Sequence, residues 1–290
     1  MVDGHYNDVN GHRNYNQGSG NVINGEDNKV KGHYNKAHGN RNKVKGNKNG
    51  VVGNDNNVWG NGNGIEGDEN NAEGDWNQII GSGNDAYGNE NSIQGNQNGV
   101  WGNVNRVKGN KNRVDGDRNS VNGNRNGVNG NKNRVKGGKN KISGDKNSVL
   151  GNKNNVNGGW NQLNGSWNDV DGNDNAVWGS ENDIDGNYND VDGSWNSVNG
   201  HYNELDGNCN NVDGNGNDVD GNCNWVEGNE NDINGKANDV FGHRNKVDGK
   251  GNNVHGHVND VIGSGNNVKG QGNIVYSGSE PIFSNLRKYY

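Results

Sequence analysis

The apolar residues of this chain recur instead of clustering. From His5 to Ser277 the chain divides into 39 heptads without insertion or deletion, each written x-x-N-x-V-x-G. The third place is Asn in all 39 units, from Asn7 to Asn273. The fifth place is Val, Ile, Leu or Ala except at Asn16, and the seventh is Gly except at Ser277. Asn, Val and Gly fall on alternate positions, the period of a strand, so all three are predicted to point inward and the residues flanking Val to point out. One apolar residue in seven makes no helical stripe, and a heptad coiled coil needs two. Each unit reads as a short strand followed by a bend at G-x-x.

One such strand cannot bury its Val alone. Two heptads facing each other, 14 residues per coil, set two rows of Val back to back. The predicted fold is all-β: a two-sided β-solenoid, or β-roll, of about 19 coils at the ~4.8 Å strand spacing. Residues 1–4 read as a lead, 5–277 as a single solenoid and 278–290 as a C-terminal cap. The tail holds the only Pro, Pro281, and offers Ile282, Phe283 and Leu286 to cover the last coil. From Gly109 onward one structural ladder runs through Asn112, Asn126 and Asn140, with core Val114 and Val128 and corners at Gly116 and Gly130. A stacked Asn amide is both donor and acceptor, whereas a carboxylate there repels its own copy. Gly suits a corner that needs positive φ or close backbone approach. At the other end Asn16 occupies a Val slot, which makes that end either frayed or an assembly surface.

Composition alone suggests something else. The chain is 25% hydrophobic with 53 Gly and a mean hydropathy of −1.28, values typical of disordered chains. The fixed interval overrides that reading. Two buried Val per coil cannot offset the entropy of ordering 14 residues, so hydrogen bonds between coils must supply the balance. The net charge is −7. No apolar run approaches membrane length, and MVDGHYND lacks the basic-then-apolar pattern of a signal peptide, so a soluble protein with no membrane partner is expected. Gly62-x-Gly64-x-x-Gly67 matches a dinucleotide fingerprint in letters only, because the repeat generates it and no βαβ unit surrounds it. No nucleophile–base–acid set and no specific nucleic-acid motif is present. A regular solenoid also lacks a concave pocket, which argues for a non-enzymatic protein without cofactor.

The x-x-N-x-V-x-G unit resembles the repeat of grass ice-binding, ice-recrystallisation-inhibiting proteins, over Tyr6 to Ser277. The resemblance implies a left-handed β-roll with Val cores and Asn ladders, and an ice surface as partner. It also implies a flat ice-binding face rich in Thr, Ser and Val at the outward places flanking the core Val. This sequence departs there, with no Thr and with charge at such places: Arg106 and Lys108, Arg134 and Lys136, Asp190 and Asp192, Asp218 and Asp220. The alternative function is a structural or self-assembling rod whose charged and aromatic faces bind itself, cations or polyanions.

Residues 14 apart are lateral neighbours in such a fold. Cys209 and Cys223, the only cysteines, stand in this relation and form either a disulfide or two free thiols. Two sulfurs without C-x-x-C spacing do not make a zinc site. Between Asn103 and Lys153 there are 13 Lys or Arg against three Asp, including a basic face of Lys111, Arg125, Lys139 and Lys153. Between Ser166 and Val240, 17 acidic residues face one Lys, Lys236. Like charges stacked this closely destabilise a sheet. Either these are solvated faces, or the basic block of 103–153 meets a polyanion or another molecule's acidic block. Asp190, Asp192, Glu204, Asp206, Asp218 and Asp220 form a predicted two-by-three array on one face. Outward side chains on a flat sheet do not wrap an ion, so the array favours loose cation screening over a defined metal site. Tyr188 and Tyr202, and Trp167 and Trp195, form either self-stacking ladders or surfaces for sugars or a partner. His243 and His257 read as a surface pair.

Overall fold

The computed structural model describes residues 1–277; the cap expected at 278–290 lies outside the described residues. The chain divides into two units, Met1–Lys153 and Asn154–Tyr290, built on one plan. In the first, 22 strands run from Val2–Asp3 to Ser148–Leu150. In the second, 18 strands run from Asn155–Asn157 to Ile274–Ser277. Within each unit alternate strands belong to two parallel sheets, and each strand pairs in register with the one 14 residues on. Arg113, Val114 and Asp115 pair with Gly127, Val128 and Asn129 in the first unit. Asp190, Val191 and Asp192 pair with Glu204, Leu205 and Asp206 in the second.

This is the all-β, 14-residue coil that the heptad predicts. The 40 strands make about twenty turns, one strand more than the 39 heptads alone provide. The addition is Val2–Asp3, which pairs with Asn16 and Gln17 although residues 1–4 complete no heptad.

The strands are three residues long through most of the chain, and only the central one, Val in most, is buried. So thin a core leaves the coil's cohesion to its amides. Asn126 donates from both its backbone N–H and its Nδ2 to Asn112 Oδ1, each at 3.0 Å. Its Nδ2 also donates to the Gly137 carbonyl at 2.9 Å, tying the start of one strand to the end of the facing strand. In turn Asn126 Oδ1 accepts from Asn140 N–H at 3.0 Å and Asn140 Nδ2 at 3.1 Å. The second unit repeats the pattern: Asn203 donates to Asn189 Oδ1 at 3.0 and 3.1 Å and to the Gly214 carbonyl at 2.9 Å. At Asn126 and Asn203 both donors and both lone pairs of the amide are used, which suits a buried amide; Asn77, Asn119 and Asn133 keep the backbone rung and the corner bond without the Nδ2-to-Oδ1 rung.

The corner glycines depart from the expected inward orientation. Gly130 has φ +127°, and a Cβ added there would run into the carbonyl oxygen of Gly144 in the next coil. Positive φ turns the missing side chain along the stacking axis, so the corner needs Gly for both reasons. Five positions before the corner Gly sits a second residue in the left-handed region, and here most heptads keep a side chain. Lys111, Arg125 and Lys139 have φ of 59°, 61° and 61°. Each such non-glycine residue costs ~1–2 kcal/mol, a repeated strain that the surrounding ladders hold in place.

Asn16 is fully buried in its Val slot. Its Oδ1 accepts from Asn21 Nδ2 at 2.9 Å, while its own Nδ2 is buried without a partner. Asn21 Nδ2 is thereby diverted from the ladder bond that its counterparts make to the preceding Asn. Asn16→Val removes the orphaned donor and frees Asn21 for Asn7. It is expected to stabilise the first unit by about 1–3 kcal/mol in chemical unfolding; an unchanged or lowered midpoint contradicts this account of the slot.

Candidate functional site

With Asn, Val and Gly committed to the fold, four places per heptad remain. The first is less free than the sequence suggested. Asn96 N–H donates to Asn110 Oδ1 at 2.7 Å, and Asn110 N–H to Asn124 Oδ1 at 2.7 Å. Asp117 and Asp145 accept equivalent bonds from Asn103 and Asn131, at 2.7 and 2.6 Å. His201 and His243 accept through Nδ1 from Asn187 and Asn229, at 2.9 and 3.0 Å. This is a second ladder along the exposed corners, running opposite to the inner one. The detectable signal was the recurrence of Asn, Asp, Ser and His immediately after Gly. These residues share only a short-range acceptor.

The fourth and sixth places form the flat faces, and the second place forms a single-file column along each corner. All the acidic array is exposed on one sheet face of the second unit. Asp190, Glu204 and Asp218 are consecutive partners in one column, and Asp192, Asp206 and Asp220 in the other. Among the described residues no three His, Cys, Asp or Glu converge as a metal site. None of these six carboxylates forms an ion pair among the described residues; the next rung, Asp232, meets Lys246 Nζ at 3.5 Å. Partial burial, then neighbouring carboxylates, push the Asp190 and Asp218 carboxyls above the usual range; Asp183 is raised in the same way beside Asp169 and Asp185.

The basic column of Lys111, Arg125 and Lys139 is exposed at the corner of the first unit, with Lys153 next in the column. Earlier in that column the signs alternate. Arg13 Nε donates to Asp27 Oδ1 at 2.8 Å, and Arg41 pairs with Asp55, whose carboxyl is lowered by that hydrogen bond. In the second unit Arg244 similarly donates to Glu230 at 2.6 Å. Lys111, Arg125 and Lys139 have no ion-pair partner among the described residues.

Cys209 and Cys223 are exposed free thiols on adjacent coils, close enough that a hydrogen bond to Cys223 raises the Cys209 thiol. Tyr188 and Tyr202 stack at 5.0 Å and 1°, and His243 and His257 at 5.1 Å and 5°. Sequence spacing did not single out two further groups. Tyr87 lies parallel to Trp101 at 5.9 Å with the Arg113 guanidinium 5.1 Å from the Trp101 ring, and Phe241 stacks on His255 at 4.6 Å. Their 14-residue spacing was the available signal.

In the first unit one stretch of face from Gly50 to Gln94 carries a single charge; in the second, Gln162, Asn164, Ala176 and Trp178 carry none. On the second sheet of the first unit, Gly50, Gly64, Gln78 and Ser92 are successive partners, beside Val52, Glu66, Ile80 and Gln94. Open space lies beyond the α-carbons of Gly50 and Gly64, and Val52 and Ile80 are exposed. Lys36 and His38 border the strip on one side, Arg106 and Lys108 on the other.

A family model described as the grass antifreeze beta roll matches residues 77–165 and, overlapping them, 129–221, together half of the chain. No curated protein sequence matches it.

The raised carboxyls set the sign of a pH effect. A carboxyl whose folded pKa exceeds its unfolded value binds its proton more tightly when folded, so its penalty is full above the folded pKa and fades as pH falls towards the unfolded value. Asp218→Asn is therefore expected to stabilise the second unit at neutral pH and to reduce the stability it gains on mild acidification. Unfolding midpoints from neutral pH down through the carboxylate range test this; a destabilised variant at neutral pH contradicts it.

Proposed function

Because the chain belongs to the grass antifreeze beta-roll family, we propose that it binds ice and inhibits recrystallisation through the low-charge strip from Gly50 to Gln94. The observation that carries the reading is the strip itself: four successive coils holding one charge, Glu66, on a flat sheet. Charged groups hold their own hydration tightly and resist giving it up to another lattice. Val52 and Ile80 instead border water without binding it, while Gln78, Ser92 and Gln94 can anchor it by hydrogen bonds. The two glycines keep relief low, and the ladders repeat the pattern at the fixed ~4.8 Å coil spacing. A rigid, periodic surface loses little freedom on adsorption, so many small contacts can accumulate.

Ice-recrystallisation assays at micromolar protein test the proposal. The wild type is expected to keep grains small, and Val52→Lys or Ile80→Lys to require several-fold more protein for the same effect. Ser120→Lys, on the same sheet beyond the strip, serves as the neutral control. Grain growth equal to that with an inert protein overturns ice association; equal loss with Ser120→Lys overturns the assignment to this strip.

A further inference from the structure

We propose that copies of this chain associate through charge. In this contact the basic column Lys111, Arg125, Lys139 of one copy lies between the two acidic columns, Asp190, Glu204, Asp218 and Asp192, Asp206, Asp220, of another. The proposal is independent of ice binding and uses surfaces outside the low-charge strip.

Three observations converge on a second copy as the occupant. The first is pitch. Both surfaces advance one residue per coil, so charges on either recur at the same ~4.8 Å, and three successive cations meet three successive carboxylate pairs without drifting out of step. Phosphates on one strand of a duplex recur every ~3.4 Å of helix axis and wind around it, a poorer match to the same straight column.

The second is shape. The cations stand in single file along a corner, at left-handed residues that project from a narrow edge. The acidic columns occupy the fourth and sixth places of a flat face, two residues and ~6.6 Å apart along the strand. A single row of Lys and Arg side chains fits the furrow between them, each within reach of carboxylates on both sides.

The third is unspent charge. The corner column that carries Lys111 also carries Arg13 and Asp27, and Arg41 and Asp55, which neutralise each other between adjacent coils. Beyond Glu69, Gly83 and Gln97 the column turns wholly basic at Lys111, Arg125 and Lys139, and no carboxylate answers them among the described residues. In the acidic array partial burial, then neighbouring carboxylates, already raise the Asp190 and Asp218 carboxyls. Bringing the two together relieves repulsion within both surfaces, and all nine side chains are exposed before association. Because the two patches of one copy differ, the contact is heterologous and can propagate from copy to copy or close on itself.

Sedimentation velocity on the full chain tests this in low and high salt, with Cys209 and Cys223 kept reduced. The wild type is expected to sediment faster with rising concentration in low salt and to return to monomer when the screening length falls well below ~10 Å. One variant carries K111E, R125E and K139E; the other carries D190K, E204K and D218K. Neither is expected to self-associate, yet mixing them should restore association, because one keeps the acidic array and the other the basic column. Circular dichroism confirms each fold, and the corresponding Ser substitutions replace any charge-reversal variant that fails to fold. A wild type that stays monomeric in low salt overturns the proposal. So does association that survives in either variant alone, or failure of the mixture to associate. Monomeric wild type that binds inorganic polyphosphate through 111–139 assigns the column to a polyanion instead.

Discussion

Everything in this molecule depends on one amide stacked on its copy. The third-place Asn donates twice to the Asn before it, accepts twice from the Asn after it, and closes its own turn through a corner carbonyl, as at Asn126. A buried amide left half-satisfied costs more than a hydrogen bond gains, so the ladder favours the 14-residue register over any other. That constraint lets a chain with one apolar residue in seven fold at all. It also fixes the pitch to which every outward residue is bound.

The consequences for function follow from that regularity. A backbone repeating at constant spacing turns side-chain choice into a printed surface, where a column of letters 14 apart becomes a stripe of one chemistry. Four coils from Gly50 to Gln94 print a low-relief strip suited to ordered water. Three coils from Lys111 print a cationic ridge, and three from Asp190 print an anionic furrow. The family to which the chain belongs accounts for the scaffold; the use of the strip is our proposal.

Much of the fold was legible because its constraints demand single residue types. Only Asn meets all four hydrogen-bonding demands at the third place, and only Gly survives both the φ and the close carbonyl at Gly130. The first-place ladder escaped notice for the converse reason: Asn110, Asp117 and His201 all serve as acceptors, so the constraint leaves no single letter. The inward assignment of Gly failed because alternation describes an extended strand, and positive φ ends the strand there. At the site, charged columns were readable from spacing, as was the alignment of Cys209 with Cys223. The low-charge strip was not, since Gly50, Gly64 and Ser92 stand out only when their neighbours' charges are placed beside them in register.

The central claim is that buried amides hold the coils together, and hydrogen exchange of the Asn side chains tests it most directly. With the Nδ2 protons resolved by NMR, third-place residues such as Asn126 and Asn203 should exchange as slowly as the strand backbone around them, while corner residues such as Asn110 exchange rapidly. Third-place Nδ2 protons exchanging at the rate of a free amide, beneath a protected backbone, would contradict the account.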